Sequence, residues 1–343
     1  MNIIKGNDAG KATAHIYNSA VAASAISAAW ELGALDELNE RGVLDAREFA
    51  TSRRLDLPST LGMLRALAAV DVIERDDTKV VPAANFDEVY RTRSFFHWLA
   101  RGSAELFRQM PTVLRTENRI GDFYQRDSAA IAFACREINT FCYDPWFWKA
   151  IDGLDFDPTV VADLGCGSGE RVMQILRHYS GTRGLGIDIA RPSLEVAAVE
   201  AENAGLADRV IFLEADVLTM ERRPAFTDVE LLTCFMMGHD FWPRRQCVNA
   251  LRHLSSLFPN VRRFLLGDAT RTDGVADRDL PVFTLGFELA HDMMGAFLPT
   301  IADWESVFEE GGWRLLDKHW INIAVGEVIF ELCPISHTVD PYI

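Results

Sequence analysis

One apolar run ends in an alternating glycine motif, and this motif limits the folds that the chain can adopt. Residues 160–164 are Val-Val-Ala-Asp-Leu, and Gly165, Gly167 and Gly169 follow at every second position. Glycine has no Cβ, so the backbone can take left-handed conformations and pass close to a ligand. A helix that begins after the last glycine would offer free N–H groups to an anion. The motif therefore predicts a strand, a turn and a helix around a nucleotide-like ligand.

Acidic residues at later strand ends indicate which nucleotide this is. Asp188 closes a short apolar run, where its carboxylate could accept both hydroxyls of a ribose, and Asp216 follows the next run, where it could meet an adenine amino group. Dehydrogenases instead use a Gly-x-Gly-x-x-Gly spacing. Together with Asp163 and the three glycines, these acids predict a site for S-adenosylmethionine (SAM). Phe235, at the end of the following strand, is expected to line the same site.

Composition excludes several classes of partner. The 343 residues carry a formal net charge of −16 and a pI near 4.9, so a phosphate backbone would be repelled and nucleic acid is not an expected partner. No apolar run approaches the roughly 20 residues of a membrane helix, and Met1–Gly6 lacks a signal-peptide pattern. The six cysteines form no Cys-x-x-Cys pair and are expected to be reduced. We therefore expect a cytoplasmic protein.

The hydrophobic pattern divides the chain into three parts. Residues 1–93 combine helical periodicity with a predicted hairpin around Asp76-Asp77-Thr78, which is typical of a winged helix. Because the chain is acidic and this domain has no basic recognition helix, it is not expected to bind DNA. Its layout resembles that of methyltransferases in which such a module pairs two subunits, and this resemblance implies a homodimer. Residues 94–150 are helical and aromatic-rich, and are expected to form a linker and substrate lid. Residues 151–343 alternate strands and helices, which predicts the doubly wound, Rossmann-like sheet of a class I SAM-binding catalytic domain.

Two His-Asp pairs stand out in the catalytic part, at His239-Asp240 and His291-Asp292. The first follows the fourth predicted strand of the sheet, where a histidine could deprotonate a hydroxyl group. Two imidazoles over one pocket could instead hold a metal ion, with the remaining positions left to water and substrate. A single histidine in an apolar helix is usually structural. The spacing alone leaves these alternatives open.

Long matches connect the chain to a family. From about residue 14 to residue 331 it resembles the bacterial β-carbon methyltransferases of 2-oxo acids, in particular those that act on phenylpyruvate in peptide-antibiotic pathways. The stretches that carry the resemblance are residues 28–38, 123–127, 134–138, 231–243 and 262–298. The chain has Cys166 at a position where many winged-helix O-methyltransferases have glycine, which is tolerable if this side chain points away from the ligand.

The resemblance implies a non-heme iron ion held by His239 and His291, and a 2-oxo acid that chelates it. It also implies that Arg126 binds the substrate carboxylate and that Trp98 forms an aromatic wall. Asp240 is expected to accept the Cβ proton through a water molecule. An apolar substrate, of the phenylpyruvate or 4-methyl-2-oxopentanoate type, suits the expected pocket. The further pocket candidates are Tyr124, Met237, Phe283 and Met294.

Two alternatives remain. In the first, the chain is a SAM-dependent O-methyltransferase that uses His239 as its general base, with His291 structural. In the second, it is a winged-helix regulator that senses SAM without catalysis.

Overall fold

The computed structural model describes residues 8–321 and 326–335, which fall into two compact units divided between Phe141 and Cys142. The segment Met1–Gly6 lies outside the described residues. Within the described ranges, no helix combines the length and the apolarity that crossing a membrane requires. All six cysteines are free thiols, as expected.

The N-terminal unit begins with helices and a small sheet. Its first elements are α1 (Asp8–Glu31), α2 (Ala34–Arg41), β1 (Leu44–Asp45), α3 (Ala46–Ser52), α4 (Leu57–Ala68), β2 (Ile73–Asp76) and β3 (Lys79–Pro82). The sheet has the order β1-β3-β2 and is antiparallel. Asp45 and Asp56 cap α3 and α4 by accepting backbone N–H groups, which explains where these helices begin. The predicted helices and hairpin are present.

The rest of this unit is helical. Its elements are α5 (Phe86–Arg91), α6 (Arg93–His97), a π-helix (Trp98–Gly102), α7 (Ala104–Arg108), α8 (Met110–Val113) and α9 (Ser128–Ile138). A second π-helix, Asn139–Tyr143, leads out of α9. π-Helical turns are rare and occur frequently at functional sites. Trp98, expected in the substrate pocket, is the first residue of one of them.

The C-terminal unit is a doubly wound α/β sheet. Its strands are β4 (Val160–Leu164), β5 (Arg183–Asp188), β6 (Val210–Glu214), β7 (Leu231–Phe235), β8 (Arg263–Asp268), β9 (Trp313–Trp320) and β10 (Val328–Pro334). Its helices are α10 (Asp144–Asp152), α11 (Glu170–His178), α12 (Arg191–Asn203), α13 (Arg244–Leu257), α14 (Thr284–Met294) and α15 (Ile301–Phe308). Over the described residues, the strand order is β6-β5-β4-β7-β8-β10-β9.

The directions of the strands indicate at which edge of the sheet a ligand would bind. Neighbours among β4 to β8 are parallel, whereas β10 runs antiparallel to both β8 and β9. The inner parallel strands β4 and β7 are almost wholly buried, which explains their largely apolar sequences. All five parallel strands end at one edge of the sheet, where ligands of such folds bind.

Candidate active site

The glycine motif forms the turn between β4 and α11. Gly165, Gly167 and Gly169 have φ values of 68°, 52° and 78°, in the left-handed region that favours glycine. A side chain at Gly165 would also collide with the sulfur of Met237, which packs over the turn. The backbone N–H groups of Gly165 and Cys166 donate to the Ile187 carbonyl, which ties the turn to β5. The predicted strand, turn and helix are therefore all present.

Asp188, at the end of β5, braces the same turn. Its Oδ2 accepts the Gly167 N–H at 2.8 Å and its Oδ1 accepts the Ala190 N–H at 2.8 Å. Asp216 instead stabilises its own turn after β6, where it accepts the Leu218 N–H at 2.9 Å. Each carboxylate oxygen can accept further hydrogen bonds, so these contacts leave capacity for ligand hydroxyl or amino groups.

Asp163 lies below the turn, in the body of the sheet. It is buried, and Thr233 Oγ1 donates to its carboxylate at 2.6 Å, which links β4 to β7. Burial raises the pKa of Asp163 to about 6, although the Thr233 hydrogen bond works in the opposite direction. Asp163 therefore lies in β4, two residues before the first glycine of the turn.

Phe235 ends β7 in an aromatic cluster. Its ring packs edge-on against Tyr143 and Phe147, at centroid distances of 5.8 Å and 5.5 Å. The guanidinium of Arg171, in the first turn of α11, lies 4.6 Å from the Phe235 centroid and pairs with Asp144 at 2.6 Å. Because Arg171 is buried, this ion pair holds α10 and α11 together beside the glycine turn.

Two non-glycine residues with positive φ precede the two histidines. Met236 has a φ of 55° and leads directly into the short helical turn that carries His239. Phe283 has a φ of 78° and begins α14, which carries His291. Such conformations are costly for residues with side chains and cluster at functional sites. Both segments therefore hold unusual backbone at the ligand edge of the sheet.

His239 is anchored by Asp268, the last residue of β8. Its ring Nδ1 lies 2.8 Å from Asp268 Oδ1, and its backbone N–H donates to Oδ2 at 2.6 Å. Asp268 is fully buried and also accepts the Ala269 N–H. A carboxylate accepts hydrogen bonds, so the ring donates from Nδ1 and carries its lone pair on Nε2. That tautomer suits either a base or a metal ligand.

His291 meets His239 from α14. Its Nδ1 donates to the Phe287 carbonyl at 2.8 Å, so this ring too carries its lone pair on Nε2. The two imidazole centroids are 5.2 Å apart, with the planes at 84°. The Phe287 ring lies 4.0 Å from the His291 centroid, and Phe283 continues the row at 5.2 Å from Phe287. The structure thus brings the two predicted histidines together beside an aromatic row.

The acids of the two His-Asp pairs lie at the surface. Asp240 is exposed, and its carbonyl accepts from Gln246. Asp292 is also exposed, and it pairs with Arg271 at 2.5 Å. The carboxylate on the His239 ring is Asp268, which lies 29 positions along the chain. Sequence reasoning missed it, although its place at the carboxyl end of β8 was a usable signal. The role of Asp240 as proton acceptor stays a prediction.

The remaining pocket candidates divide between the two units. In the N-terminal unit Trp98 is buried, Arg126 and Tyr124 are half-buried, and Tyr124 packs on the neighbouring Phe123. In the C-terminal unit Met237, Phe283 and Met294 are half-buried. Their roles in substrate binding stay predictions.

Comparison with known proteins decides the class. A family model described as "Methyltransferase domain" matches residues 161–258, which run from β4 past α13. The chain is 50% identical to methyltransferase ungE' of Aspergillus campestris over 327 residues, which cover 93% of this chain and 96% of that protein. The chain belongs to the methyltransferase family. This methyltransferase is also 25% identical over 168 residues to the indolepyruvate C-methyltransferase of Streptomyces griseus, covering 48% of each.

A solved structure supports the fold. The methyltransferase superposes on human N-acetylserotonin methyltransferase in complex with SAM with a TM-score of 0.64, over 97% of this chain and 99% of that one, at 17% identity. The predicted class I SAM-methyltransferase fold, with a helical N-terminal domain, is therefore confirmed. SAM is the cofactor of this methyltransferase. Within the described parts of the chain, no three His, Cys, Asp or Glu side chains gather as a metal site.

Proposed function

We propose that this methyltransferase transfers the SAM methyl group to the β-carbon of an apolar 2-oxo acid, as a step towards a non-proteinogenic amino acid. The observation that carries the proposal is the pair of imidazoles, His239 and His291, with centroids 5.2 Å apart. A hydroxyl methyltransferase needs one histidine as its base. A second, buried histidine facing the first is explained by a shared ligand. The partial match to an indolepyruvate C-methyltransferase supports the same chemistry.

The two histidines suit a shared non-heme iron ion. Imidazole is a good ligand for iron, and metal-binding histidines almost always donate their other ring N–H to a carboxylate or carbonyl group. His239 does so to Asp268 and His291 to Phe287. Two protein ligands would leave the other coordination positions of the ion for a chelating 2-oxo acid. When bound, iron would supply a Lewis acid that stabilises the enolate, an effect worth several kcal/mol.

The chain's own residues would do the rest of the work. Arg126 would fix the substrate carboxylate, since a guanidinium fork matches its two oxygens. The Phe283 ring would cover the apolar side chain, and the role of Trp98 as an aromatic wall stays a prediction. Asp240, exposed beside His239, would take the Cβ proton through water. The resulting carbanion attacks the SAM methyl carbon, and the sulfonium leaves as a neutral thioether.

The cofactor would lie across the glycine turn. We propose that its amino-acid end meets the backbone of Gly165 to Gly169, with Asp163 beneath, while Asp188 holds the ribose hydroxyls. Asp216 would face the adenine, and Phe235 would line the region nearest the reacting methyl group. This arrangement follows the strand ends in their order across the sheet.

His239→Ala and His291→Ala test the proposal. Each should abolish bound iron and turnover of phenylpyruvate, because one protein ligand can neither retain the ion nor orient the substrate. The measurements are metal analysis of the purified protein, activity after chelation and iron add-back, and NMR of the product. An active, metal-free enzyme that places the methyl group on oxygen would end the C-methyltransferase proposal.

One observation favours a second candidate, O-methylation of a small hydroxy compound. The buried Asp268 carboxylate on His239 resembles the acid that orients a histidine base in hydrolytic triads. This alternative predicts that His291→Ala keeps most of the activity, whereas His239→Ala loses it. Chelators would then have no effect.

A further inference from the structure

The loop that follows β8 is fastened to the helix that carries His291. Arg271, three residues after Asp268, pairs with Asp292 at 2.5 Å and lies 3.7 Å from Glu288. The next backbone N–H, that of Thr272, donates to Glu288 Oε1 at 2.7 Å. Glu288 and Asp292 are one helical turn apart and flank His291 in α14.

The same loop is also fixed from its other side. The backbone N–H of Arg271 donates to the Pro299 carbonyl at 2.9 Å, beyond the end of α14. At the start of the loop, Asp268 holds His239 through two hydrogen bonds. A stretch of five residues, 268–272, therefore supports one histidine directly and the helix of the other through Arg271 and Thr272.

We infer that Arg271 is a positioning residue that fixes the distance between His239 and His291. This inference rests on the proposed function, in which the two imidazoles share one ligand. The buried face of α14 packs through Phe287, Ala290 and Met293, and apolar packing is not directional. Two carboxylates held on one side of the helix oppose its rotation about its own axis.

The size of the effect follows from helix geometry. A side-chain nitrogen about 6 Å from the helix axis moves by about 1 Å when the helix turns by about 10°. Metal–ligand distances tolerate only about 0.2 Å, and a misplacement of about 1 Å can cost about 100-fold in rate. The ion pair between Arg271 and Asp292 is partly exposed, so its loss should change the free energy of unfolding little.

Arg271→Ala is the direct test, with cobalt(II) as the probe because its absorption spectrum reports its ligands. We expect cobalt(II) affinity to fall by about 10- to 100-fold and kcat to fall similarly, with SAM affinity unchanged. Arg271→Lys keeps the charge but not the fork, and should recover part of both. Asp292→Asn, which removes the other side of the pair, should reproduce the loss. Lys318→Ala is the matched control, because Lys318 pairs with Glu305 at 2.5 Å with a similar exposure of 32% against 33% for Arg271.

A second readout separates this inference from the proposed function. Side-chain 15N NMR of the metal-free protein reports the surroundings of each imidazole. The His291 signals should shift in Arg271→Ala and stay unchanged in Lys318→Ala. If the wild-type protein binds no cobalt(II), the shared-ion proposal fails, and the NMR comparison still decides the role of Arg271. Wild-type imidazole signals in Arg271→Ala, with wild-type kcat, overturn the inference.

Discussion

Asp268 accepts two hydrogen bonds from His239, one from the ring Nδ1 at 2.8 Å and one from the backbone N–H at 2.6 Å. The same carboxylate therefore sets the position of the residue and the orientation of its imidazole. Gly238, directly before the histidine, has no room for a side chain because Asp268 Oδ2 lies 2.8 Å from where a Cβ would be. The contact thus requires both a glycine and an acid.

Asp268→Asn should lower kcat by about 10- to 100-fold, because an amide can present an N–H group where the ring donates. The same change should weaken cobalt(II) binding. Asp240→Asn, at the exposed acid next to the histidine, should lower kcat and leave cobalt(II) affinity intact. Steady-state kinetics and metal titration of both variants check this pair. Equal effects of the two variants on metal affinity would contradict the assignment of Asp268 as the anchor.

Asp188→Ala should weaken SAM binding by roughly 2–3 kcal/mol, because it leaves the Gly167 N–H, the Ala190 N–H and the ribose hydroxyls without their acceptor. Isothermal titration calorimetry measures the affinity. Asp208→Ala, in the short helical turn before β6, serves as a control for surface acids. Wild-type affinity in Asp188→Ala would remove this residue from the cofactor site.

Glu327 predicts a pH dependence of stability. It is fully buried with both carboxylate oxygens unpaired among the described residues, and burial together with the nearby Asp268 charge raises its pKa to about 8 from 4.5. The folded state therefore binds this proton more tightly than the unfolded state does. The contribution of the bound proton to the free energy of unfolding is fully present below about pH 4.5 and is lost as the pH rises through about 8.

Glu327→Gln should remove this pH dependence of the free energy of unfolding. Above pH 8 the variant should be more stable than the wild type by an amount on the order of a few kcal/mol. Urea unfolding at several pH values measures it. Glu331→Gln, in the strand β10 that begins directly after Glu327 but hydrogen-bonded to Arg263 and His319, is the matched control. Parallel pH profiles for wild type and Glu327→Gln would show that the carboxyl group does not titrate in this range.

The dimer prediction concerns α1, which exposes apolar side chains. Ile16 and Tyr17 are each 72% exposed, and Val21 lies on the same side of the helix. If α1 pairs two subunits, Ile16→Glu with Tyr17→Glu should reduce the mass in solution from twice 38.4 kDa to a single chain. Light scattering gives the mass, and Val199→Glu on α12 tests an apolar residue elsewhere that is 55% exposed. A wild-type monomer at micromolar concentration would exclude the dimer.

Local patterns predicted much of this fold. The glycine turn, Asp188 and the strands β4 to β8 follow from short stretches whose periodicity is decided by their neighbours in sequence. The edge strand β9 was missed, because Trp313–Trp320 is largely exposed and carries four charged or histidine side chains among its eight residues. The link between Asp268 and His239 was missed because it joins two strand ends that only the sheet brings together.

The sheet order also means that the strands leading to different parts of the candidate site differ in how many neighbouring strands they pair with. Strand β7, which leads to His239, and strand β8, which ends at Asp268, each pair with a strand on both sides. Strand β6, which leads to Asp216, pairs only with β5 among the described residues. Outer strands open at a lower free-energy cost than inner ones, and amide hydrogen exchange detects such openings. In the proposed arrangement, where Asp216 faces the adenine, local opening of β6 would release the adenine end of the cofactor while the imidazoles keep their spacing. Release of the product cofactor and the positioning of the two imidazoles would then depend on different strands.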